Sequence, residues 1–516
     1  MIAGHQVAFF LRELGSPDPE RRAAAAKGLS RAPGHAAELA ALAADPAPQV
    51  RAAAALGLGR QLGGQGEEAP IEPLTVLCSD ADAEVRRRAV NALNRLGATG
   101  PEVAACFARR VEDTALRNRA VVLDWLLRSE VAVPAESLIP LVADSDSLVW
   151  GPAGCLLRLL PEADAVLADL VRTGTADVRR RALDRLDSPQ AGIPGMGAGN
   201  GPEAREAAWR RLWDPDPRVT RALLAALEAE TEAGARTILF GALAAHRVPE
   251  AVAPAAAWLA DPGCGPAAAA ALAGAGTVEA VELLRRAAGG SGRRWARLRA
   301  VAARELGAAG GAPEAEFLFG LLEDRAEPVR LGAVEGLGAF FRRIDGDLTG
   351  RLERWRAGRV PGLPVPPAAG DPAVRELARR SAERLTHMLR GDVENADTYH
   401  NALYHLPEVR PLLPALLEDP EGRVRSTALH LAERFGDIGF TGRLRFLDDA
   451  HPHVRQGAAM SFLQVAKGEG LTTAEQDVLR PHLERSQNDT DYYVRTFTAA
   501  ALTHLDPRGF RPDAAS

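Results

Sequence analysis

The sequence is poor in the residues that build sheets, disulfides and polycationic surfaces. Aromatic residues make up 5% of its 516 residues, cysteine occurs four times, and Lys27 and Lys467 are its only lysines. The apolar content is instead mostly alanine, leucine and valine, which favours helices packed through small side chains over a sheet rich in isoleucine, tyrosine and phenylalanine. We therefore expect an all-α protein.

Disulfide, metal and membrane motifs are also missing. The four cysteines, Cys78, Cys106, Cys155 and Cys264, form no CxxC pair and predict reduced, buried thiols. The first residues lack the basic stretch and apolar run of a signal peptide, and no transmembrane segment is visible. We expect a cytoplasmic protein without membrane contact.

Charge gives little sign of a dedicated nucleic-acid binder. The net charge is -6, and acidic and basic residues are spread evenly along the chain and form no basic domain. The abundance of alanine, glycine, proline and arginine indicates the coding bias of a GC-rich bacterial genome. The number of arginines is therefore a poor functional signal by itself.

One pattern recurs along the chain: aspartate, four residues, valine, arginine and, three residues later, a small residue. Where copies follow one another, their valines lie 35, 30 and 40 residues apart, the length of one helical hairpin. Such a hairpin has too little core to stand alone, so neighbouring copies must stack. The aspartates and arginines of the six full copies are Asp45, Arg51, Asp80, Arg86, Asp324, Arg330, Asp419, Arg425, Asp449, Arg455, Asp489 and Arg495.

The spacing within a copy assigns each side chain to a face of the second helix. Small or apolar residues stand 4, 8 and 11 positions after the valine, and at about 100° per residue they form one buried stripe. The arginine after the valine points sideways, so it can pair with the aspartate of the adjacent repeat in a ladder. We also expect the aspartate to cap backbone NH groups at the start of the second helix.

These copies resemble the HEAT-repeat family, in particular the bacterial phycobilisome-lyase-type HEAT-like repeats. The resemblance rests on "DADAEVRRRAVNALNRLG", "DRAEPVRLGAVEGLGAF", "DPEGRVRSTALHLAERFG" and "DAHPHVRQGAAMSFLQVA". It implies a right-handed α-solenoid whose second helices line a concave face. Members of the family most often act as scaffolds for protein partners, and a minority bind nucleic acid or assist chromophore attachment.

Two stretches interrupt the array. Residues 187–202 are rich in glycine and proline, and residues 358–372 have the proline density of an extended linker. We therefore expect three blocks of HEAT-like repeats, at 1–186, 203–357 and 373–516.

No motif for catalysis is present in the sequence. It lacks a nucleophile elbow, an HExxH zinc motif and a Rossmann fingerprint, and "GMGAGNG" lacks the following lysine and hydroxyl residue of a phosphate loop. Asp124 and Trp125 are the acidic and aromatic types found in HEAT-like DNA glycosylases, while His451 and His453 are too few ligands for a metal. We expect no enzyme, cofactor or metal, with an accessory lyase-like or glycosylase-like enzyme as an open alternative.

Two arginine-rich segments around a tryptophan support nucleic-acid binding as the second alternative. Basic residues interleaved with an aromatic ring can contact phosphates and stack a base, but Glu282, Glu305 and Glu353 lie nearby to pair with them. The candidate phosphate contacts are Arg293, Arg294, Arg297, Arg299, Arg354 and Arg356.

A protein or peptide partner on the concave surface is the favoured hypothesis. All four tyrosines and eight of the eleven histidines lie after residue 386, and polar-tipped aromatics suit interfaces. Positions 2, 6 and 9 after the valine point away from the buried stripe. The candidate partner-binding residues are His430, Glu433, Gln456, Met460, Thr496, Phe497, His504, Tyr399, Tyr404, Arg87 and Asn91.

Overall fold

The computed structural model confirms the all-α class. It describes residues 4–61, 71–98, 100–129, 133–187, 202–292, 295–344, 348–360, 363, 370–468 and 471–505, apart from the side chains of Ala204 and Thr349. These residues contain thirty α-helices and no strand. Contacts within the chain divide it into two compact units, Met1–Ala245 and His246–Ser516.

The first unit contains fifteen α-helices in its described residues. They are α1 (Gly4–Glu13), α2 (Pro19–Leu29), α3 (Ala36–Ala41), α4 (Pro48–Gln61), α5 (Glu72–Leu77), α6 (Ala83–Arg95), α7 (Pro101–Arg110), α8 (Leu116–Ser129), α9 (Ala135–Val142), α10 (Ser147–Arg158), α11 (Ala163–Thr173), α12 (Ala176–Leu186), α13 (Pro202–Trp213), α14 (Pro217–Ala229) and α15 (Ala233–Ala245).

The second unit contains another fifteen in the part that the structure describes. They are α16 (Val252–Trp258), α17 (Gly265–Ala275), α18 (Val278–Ala288), α19 (Ala296–Ala309), α20 (Ala312–Leu321), α21 (Glu327–Ile344), α22 (Leu348–Ala357), α23 (Pro372–Gly391), α24 (Ala396–Leu403), α25 (Leu413–Leu417), α26 (Gly422–Phe435), α27 (Phe440–Leu444), α28 (Pro452–Lys467), α29 (Thr473–Ser486) and α30 (Tyr492–Leu505).

Each unit is a solenoid of stacked helical hairpins. In the first unit α2, α4, α6, α8 and α10 pack in succession, and in the second α17, α19, α21, α24, α26, α28 and α30 do the same. We call each of these successions the second-helix row of its unit. The residues 4 and 8 positions after the repeat valines, such as Ala89 and Leu93, are fully buried except for the half-buried Leu502 of the last repeat, whereas those at 11, such as Leu96, are mostly half-buried.

The predicted three-block division is not tested by the described residues. The boundary between the two units falls between Ala245 and His246, within the predicted central block. Residues 188–201, 361–362 and 364–369, which make up most of the predicted loop and linker, lie outside the described residues. The three blocks therefore stay a prediction.

The ladder arginines bind the aspartate of the following repeat. Arg86 donates from Nε and Nη2 to the carboxylate of Asp113, at 2.6 and 3.0 Å, and from Nη1 to the carbonyls of Asp80 and Ala81, at 2.8 and 2.9 Å. The guanidinium of Arg86 thus links the connection within its own hairpin to the corresponding connection of the next hairpin. The ladder pairs are Arg22 with Asp45, Arg51 with Asp80, Arg86 with Asp113, Arg119 with Asp144, Arg299 with Asp324, Arg425 with Asp449 and Arg455 with Asp489.

Three members of the predicted ladder have other contacts. Asp419 accepts from Arg390 of α23, at 2.7 Å. Arg330 and Arg495 donate to main-chain carbonyls of their own repeats, those of Asp324 and Asp489, at 3.0 and 2.7 Å. For Arg495 the reason is positional, because α30 is the last helix of the described chain.

The capping role predicted for the ladder aspartates needs correction. Asp80 accepts the NH of Asp82, at 2.8 Å, in a turn before the helix. It is Asp82 that caps α6, accepting from the NH groups of Glu84 and Val85 at 2.9 and 3.1 Å. The ladder aspartate lies two residues too early to reach the first helical turn. Where a second acid stands two residues later, as Asp491 does after Asp489, the two acids have separate tasks.

Helix α22 closes one edge of the second unit. Arg343, at the end of α21, binds Glu353 of α22 at 2.5 Å and the carbonyl of Gly310 at 2.7 Å. Arg356 of α22 donates to the carbonyls of Arg247 and Ala275, at 2.6 and 3.1 Å. Because carbonyls at the C-terminal ends of helices lack intrahelical partners, these buried arginines satisfy groups that the array alone leaves open.

Candidate functional site

A large groove lies in the second unit, along the second-helix row. It encloses about 770 Å³ between α24, α26, α28 and α30. Its lining residues are Ala396, Asp397, His400, Tyr404, Arg423, Ser426, Thr427, His430, Glu433, Arg434, His453, Gln456, Gly457, Met460 and Phe497. We call it the C-terminal groove.

The repeat spacing explains which side chains enter this groove. On α26, Ser426, His430 and Glu433 stand 2, 6 and 9 positions after the repeat valine, the positions predicted to point away from the core. On α28, Gly457 lies beneath the His430 ring, and a Cβ there would be 3.1 Å from His430 Nε2. The missing side chain leaves room for the imidazole to lean across the groove.

Two imidazoles form the base of the C-terminal groove. The rings of His400 and His430 lie 5.7 Å apart, and His400 also meets Tyr404 edge to face at 5.8 Å. Burial lowers the pKa of His400 to about 4, helped by the nearby His430, and burial lowers the pKa of His430 as well. Both rings are therefore neutral at pH 7 and can each donate and accept one hydrogen bond.

The groove also holds a buried carboxyl group, that of Glu433, with a raised pKa. Burial raises the pKa of Glu433, opposed by a hydrogen bond from Ser461 and by the charge of Arg443. Its Oε1 is buried without a hydrogen-bond partner among the described residues, as is Nε2 of His400. Since buried polar groups are normally paired, these two atoms leave hydrogen-bonding capacity unused beside the groove.

Apolar surface completes the wall. Tyr404 is 37% exposed, and the guanidinium of Arg434 lies 5.0 Å from its ring. Met460 and Phe497 are half-buried and pack partly against the core of the last repeats. The groove thus combines aromatic and thioether surface with neutral hydrogen-bonding groups, the mixture found in binding grooves.

The predicted partner-binding residues after position 398 are only partly brought together. His430, Glu433, Gln456, Met460, Phe497 and Tyr404 line the C-terminal groove. Thr496 and His504 are exposed on α30 but do not line it.

Tyr399 was assigned wrongly to the surface. It is 1% exposed, and its hydroxyl donates to Asp392 at 3.0 Å. Burial and the neighbouring carboxylate raise its pKa. Sequence reasoning missed His400, which stands four residues before Tyr404 and therefore shares its helix face.

The central arginines do not form one basic surface. Arg299 is 9% exposed, binds Asp324 as a ladder residue and donates to the carbonyl of Ala288 at 3.2 Å. Arg356 is 5% exposed and binds main-chain carbonyls. Both predictions of a phosphate contact are wrong because these side chains stabilise the fold.

The other four central candidates divide by what the structure describes. Arg297 and Arg354 are exposed. Arg293 and Arg294 lie outside the described residues.

A second groove lies along the second-helix row of the first unit. It encloses about 460 Å³ and contains the predicted Asn91, whereas Arg87 lies outside it and binds Glu84 at 2.6 Å. Its lining residues are Leu56, Gly59, Arg88, Asn91, Ala92, Asn94, Arg95 and Arg128. We call it the N-terminal groove.

The aromatic ring of the pair Asp124 and Trp125 belongs to the core of the first unit. Trp125 is 6% exposed and stacks on Phe107 at 4.2 Å, so its ring is part of the core. No group of three or more histidine, cysteine, aspartate or glutamate side chains in the described ranges is placed to hold a metal ion. No described helix has both the length and the apolar content to cross a membrane.

Comparison with a protein-family model identifies repeats in the first unit. Residues 36–124 match the model described as HEAT repeats. The match runs from α3 into α8 and contains two complete ladder pairs, Arg51 with Asp80 and Arg86 with Asp113, and it does not distinguish the phycobilisome-lyase type. No curated protein matches the chain.

Solved solenoid structures resemble the chain only distantly. Importin beta is 12% identical, with 97% of this chain and 81% of that chain covered and a TM-score of 0.38. Kap121p bound to Pho4p is 11% identical, with 98% and 72% covered and a TM-score of 0.39. A structure from work on a phosphorylation switch between cadherin and beta-catenin is 14% identical, with 98% and 99% covered and a TM-score of 0.29. Identities and scores this low carry no argument about function.

Proposed function

We propose that this array of HEAT repeats is a cytoplasmic, non-enzymatic scaffold that holds an extended segment of a protein partner in the C-terminal groove. The observation that carries the proposal is the convergence of side chains from four successive helices, α24, α26, α28 and α30, on one groove of about 770 Å³. An extended chain crossing these helices would contact each repeat in turn, so binding energy accumulates over several repeats.

The chemistry of the groove favours a segment with an apolar or aromatic anchor and polar main-chain contacts. Tyr404, Met460 and Phe497 offer surface for the anchor, while His400 and Glu433 offer unpaired polar atoms. Asp397 and Glu433 offset Arg423 and Arg434 in formal charge, so the lining does not select strongly for charge of one sign.

The alternatives have less support. Two of the six arginines proposed to contact phosphate are core residues, which weakens the nucleic-acid hypothesis. The aromatic ring of the glycosylase-like pair is buried against Phe107, which weakens the enzyme hypothesis.

The test is site-specific photo-crosslinking in lysate of the source organism. A photo-activatable residue at Gln456, inside the groove, is expected to capture one reproducible protein segment, identified by mass spectrometry, and the same residue at Thr503 is not. The variant Tyr404→Ser/His430→Gln/Met460→Gln should lose this crosslink, whereas Thr496→Ala/Thr503→Ala/His504→Gln, on exposed positions outside the groove, should keep it. Equal capture by both variants, or recovery of nucleic acid alone, would contradict the proposal.

A further inference from the structure

We propose that the N-terminal groove is a second binding site, and that it takes an acidic peptide segment. The site lies in the first unit and is formed by α4, α6 and α8. It does not depend on the function proposed for the C-terminal groove, because the two grooves share no residue.

The lining of the N-terminal groove is basic and polar. Arg88, Arg95 and Arg128 supply three guanidinium groups, and Asn91 and Asn94 supply two carboxamides. None of the lining residues that the structure describes is acidic. A concave site with charge of one sign concentrates ligands of the opposite charge, so the groove favours an anionic ligand.

The acids at the rim only partly compensate this charge. Arg88 donates to Glu84 at 2.8 Å, and Arg128 donates to Asp124 at 2.5 Å. The first pair has exposed side-chain fractions of 36% and 48%, and the second 59% and 63%. Exposed pairs of this kind contribute about 0–1 kcal/mol, so a carboxylate of a partner can replace either acid with little loss.

The balance of charge around the groove stays positive. Arg87 lies beside the groove and shares Glu84 with Arg88. Four arginines (Arg87 and the three lining ones) therefore stand against two carboxylates (Glu84 and Asp124), which leaves an excess of two positive charges. Guanidinium groups bind carboxylates in a planar two-point geometry, so two or three acidic side chains would suit the site.

The floor of the groove is made of small residues. A Cβ on Gly59 of α4 would lie 2.6 Å from the Cβ of Ala92 of α6. The two helices therefore approach closely, and the arginines stand above a floor that a main chain can follow. Two steps between neighbouring helices, at roughly 8–10 Å each, correspond to about five or six residues of extended peptide.

The lining distinguishes a peptide from a nucleic acid. Among the residues that the structure describes, no aromatic side chain lines the groove, whereas single-stranded nucleic acids are usually held by stacking on aromatic rings. The groove is also short, and three arginines offer few of the phosphate contacts on which nucleic-acid affinity depends.

The experiment measures fluorescence anisotropy of labelled ten-residue peptides with the full chain. A peptide with three aspartates or glutamates is expected to bind, the matched asparagine and glutamine peptide is expected to bind at least tenfold more weakly, and added salt should weaken binding of the acidic peptide. Acidic and amide peptides with equal affinity would overturn the proposal. An oligonucleotide that binds more tightly than the acidic peptide, through the same arginines, would assign the groove to nucleic acid instead.

Matched variants separate the site from general charge effects. Arg88→Gln/Arg95→Gln/Arg128→Gln should weaken the acidic peptide at least tenfold. The control Arg172→Gln/Arg180→Gln/Arg210→Gln removes the same charge from the same unit, from exposed arginines paired with acids three or four residues away, and should not. Equal weakening by both would show unspecific attraction.

Two further variants keep the test decisive. The single change Arg95→Glu, at an exposed position, gives the same expected loss if the triple variant fails to fold. The variant of the C-terminal groove, Tyr404→Ser/His430→Gln/Met460→Gln, should leave the affinity for the acidic peptide unchanged. Failure of one proposal is thereby distinguished from failure of the other.

Discussion

Replacing Arg86 or its neighbour Arg87 by alanine should have very different effects on stability. Arg86 is 8% exposed and Asp113, its partner, 5%. The side chains of Arg87 and Glu84 are 27% and 48% exposed. The two substitutions remove the same group from adjacent positions of α6, so they differ mainly in burial and in the partner left behind.

The magnitudes follow from that burial. Two unit charges about 4 Å apart attract by ~4 kcal/mol at an effective dielectric constant of 20, and by ~1 kcal/mol in water. Arg86→Ala also leaves a buried carboxylate and the carbonyls of Asp80 and Ala81 without their donor. We expect a loss of about 3–5 kcal/mol for Arg86→Ala and below about 1 kcal/mol for Arg87→Ala.

Hydrogen exchange is the assay that locates this loss. Because stability in a repeat array is a sum of repeat and neighbour terms, the amides of α6 and α8 should lose protection in Arg86→Ala, while those of the second unit should not. Urea unfolding of the same variants gives the total change. Similar losses for Arg86→Ala and Arg87→Ala would refute the assignment of Arg86 to the ladder and Arg87 to the surface.

The deficit of Arg86→Ala should also depend on pH. In the parent, burial opposes ionisation of Asp113, but the hydrogen bonds from Arg86 and the Ala115 NH outweigh it and lower its pKa. This contribution is present above the unfolded pKa of about 3.9 and is lost as pH falls through the folded value. The stability deficit of Arg86→Ala should therefore be largest at neutral pH and shrink as the pH falls below about 4.

Three more predictions concern the second unit. Gly307→Ala should destabilise it by more than about 2 kcal/mol, since the new Cβ would lie 1.8 Å from the carbonyl oxygen of Gly336, whereas Gly320→Ala, with nothing within 4 Å, should be neutral or stabilising in urea unfolding. His400 has a folded pKa of about 4 against about 6.5 unfolded, so its contribution to the free energy of unfolding is present above pH 6.5 and is lost as the pH falls toward 4. The variant His400→Gln should therefore show a flatter dependence of the urea midpoint on pH between these values. Arg356→Leu should increase hydrogen exchange in α17 and α22 because two carbonyls lose a buried donor, and unchanged exchange would mean that α22 does not hold this edge.

The repeated part of the fold could be predicted because it depends on residues that are close together in sequence. The stripe at Ala89 and Leu93 and the sideways arginine follow from helix geometry and fixed spacing alone. Copies in which one residue of the pattern differs were not recognised from the sequence. Asn118 replaces the valine before Arg119, yet Arg119 still binds Asp144 at 2.8 Å. A pattern defined by residue type misses a position whose geometry is unchanged.

The candidate sites could be predicted only in part. Counting from the repeat valines of α26 and α28 predicts that His430 and Met460 point away from the core, and both line the groove. The prediction that Tyr399 binds a partner was wrong because the burial of one tyrosine in α24 depends on which neighbour covers it. Asp392 supplies the hydrogen-bond partner of its hydroxyl. The prediction that Arg356 contacts phosphate was wrong because its burial also depends on tertiary neighbours. The carbonyls that it binds belong to Arg247 and Ala275, more than eighty residues away in sequence.

The ladder has a consequence for how the chain can change over evolutionary time. Each ladder arginine contacts only the connection of its own hairpin and the aspartate of the next hairpin. Any hairpin that carries a ladder arginine and a ladder aspartate can therefore follow any other. When one copy is duplicated or deleted, the hairpins on either side can still pair in the same way. The joint between α19 and α21 has a ladder pair, Arg299 with Asp324, but also a second constraint, because Gly307, Gly332 and Gly336 let the backbones touch. A hairpin inserted there would need glycines in register, so we expect gains and losses of repeats at the other ladder joints and constant spacing at this one.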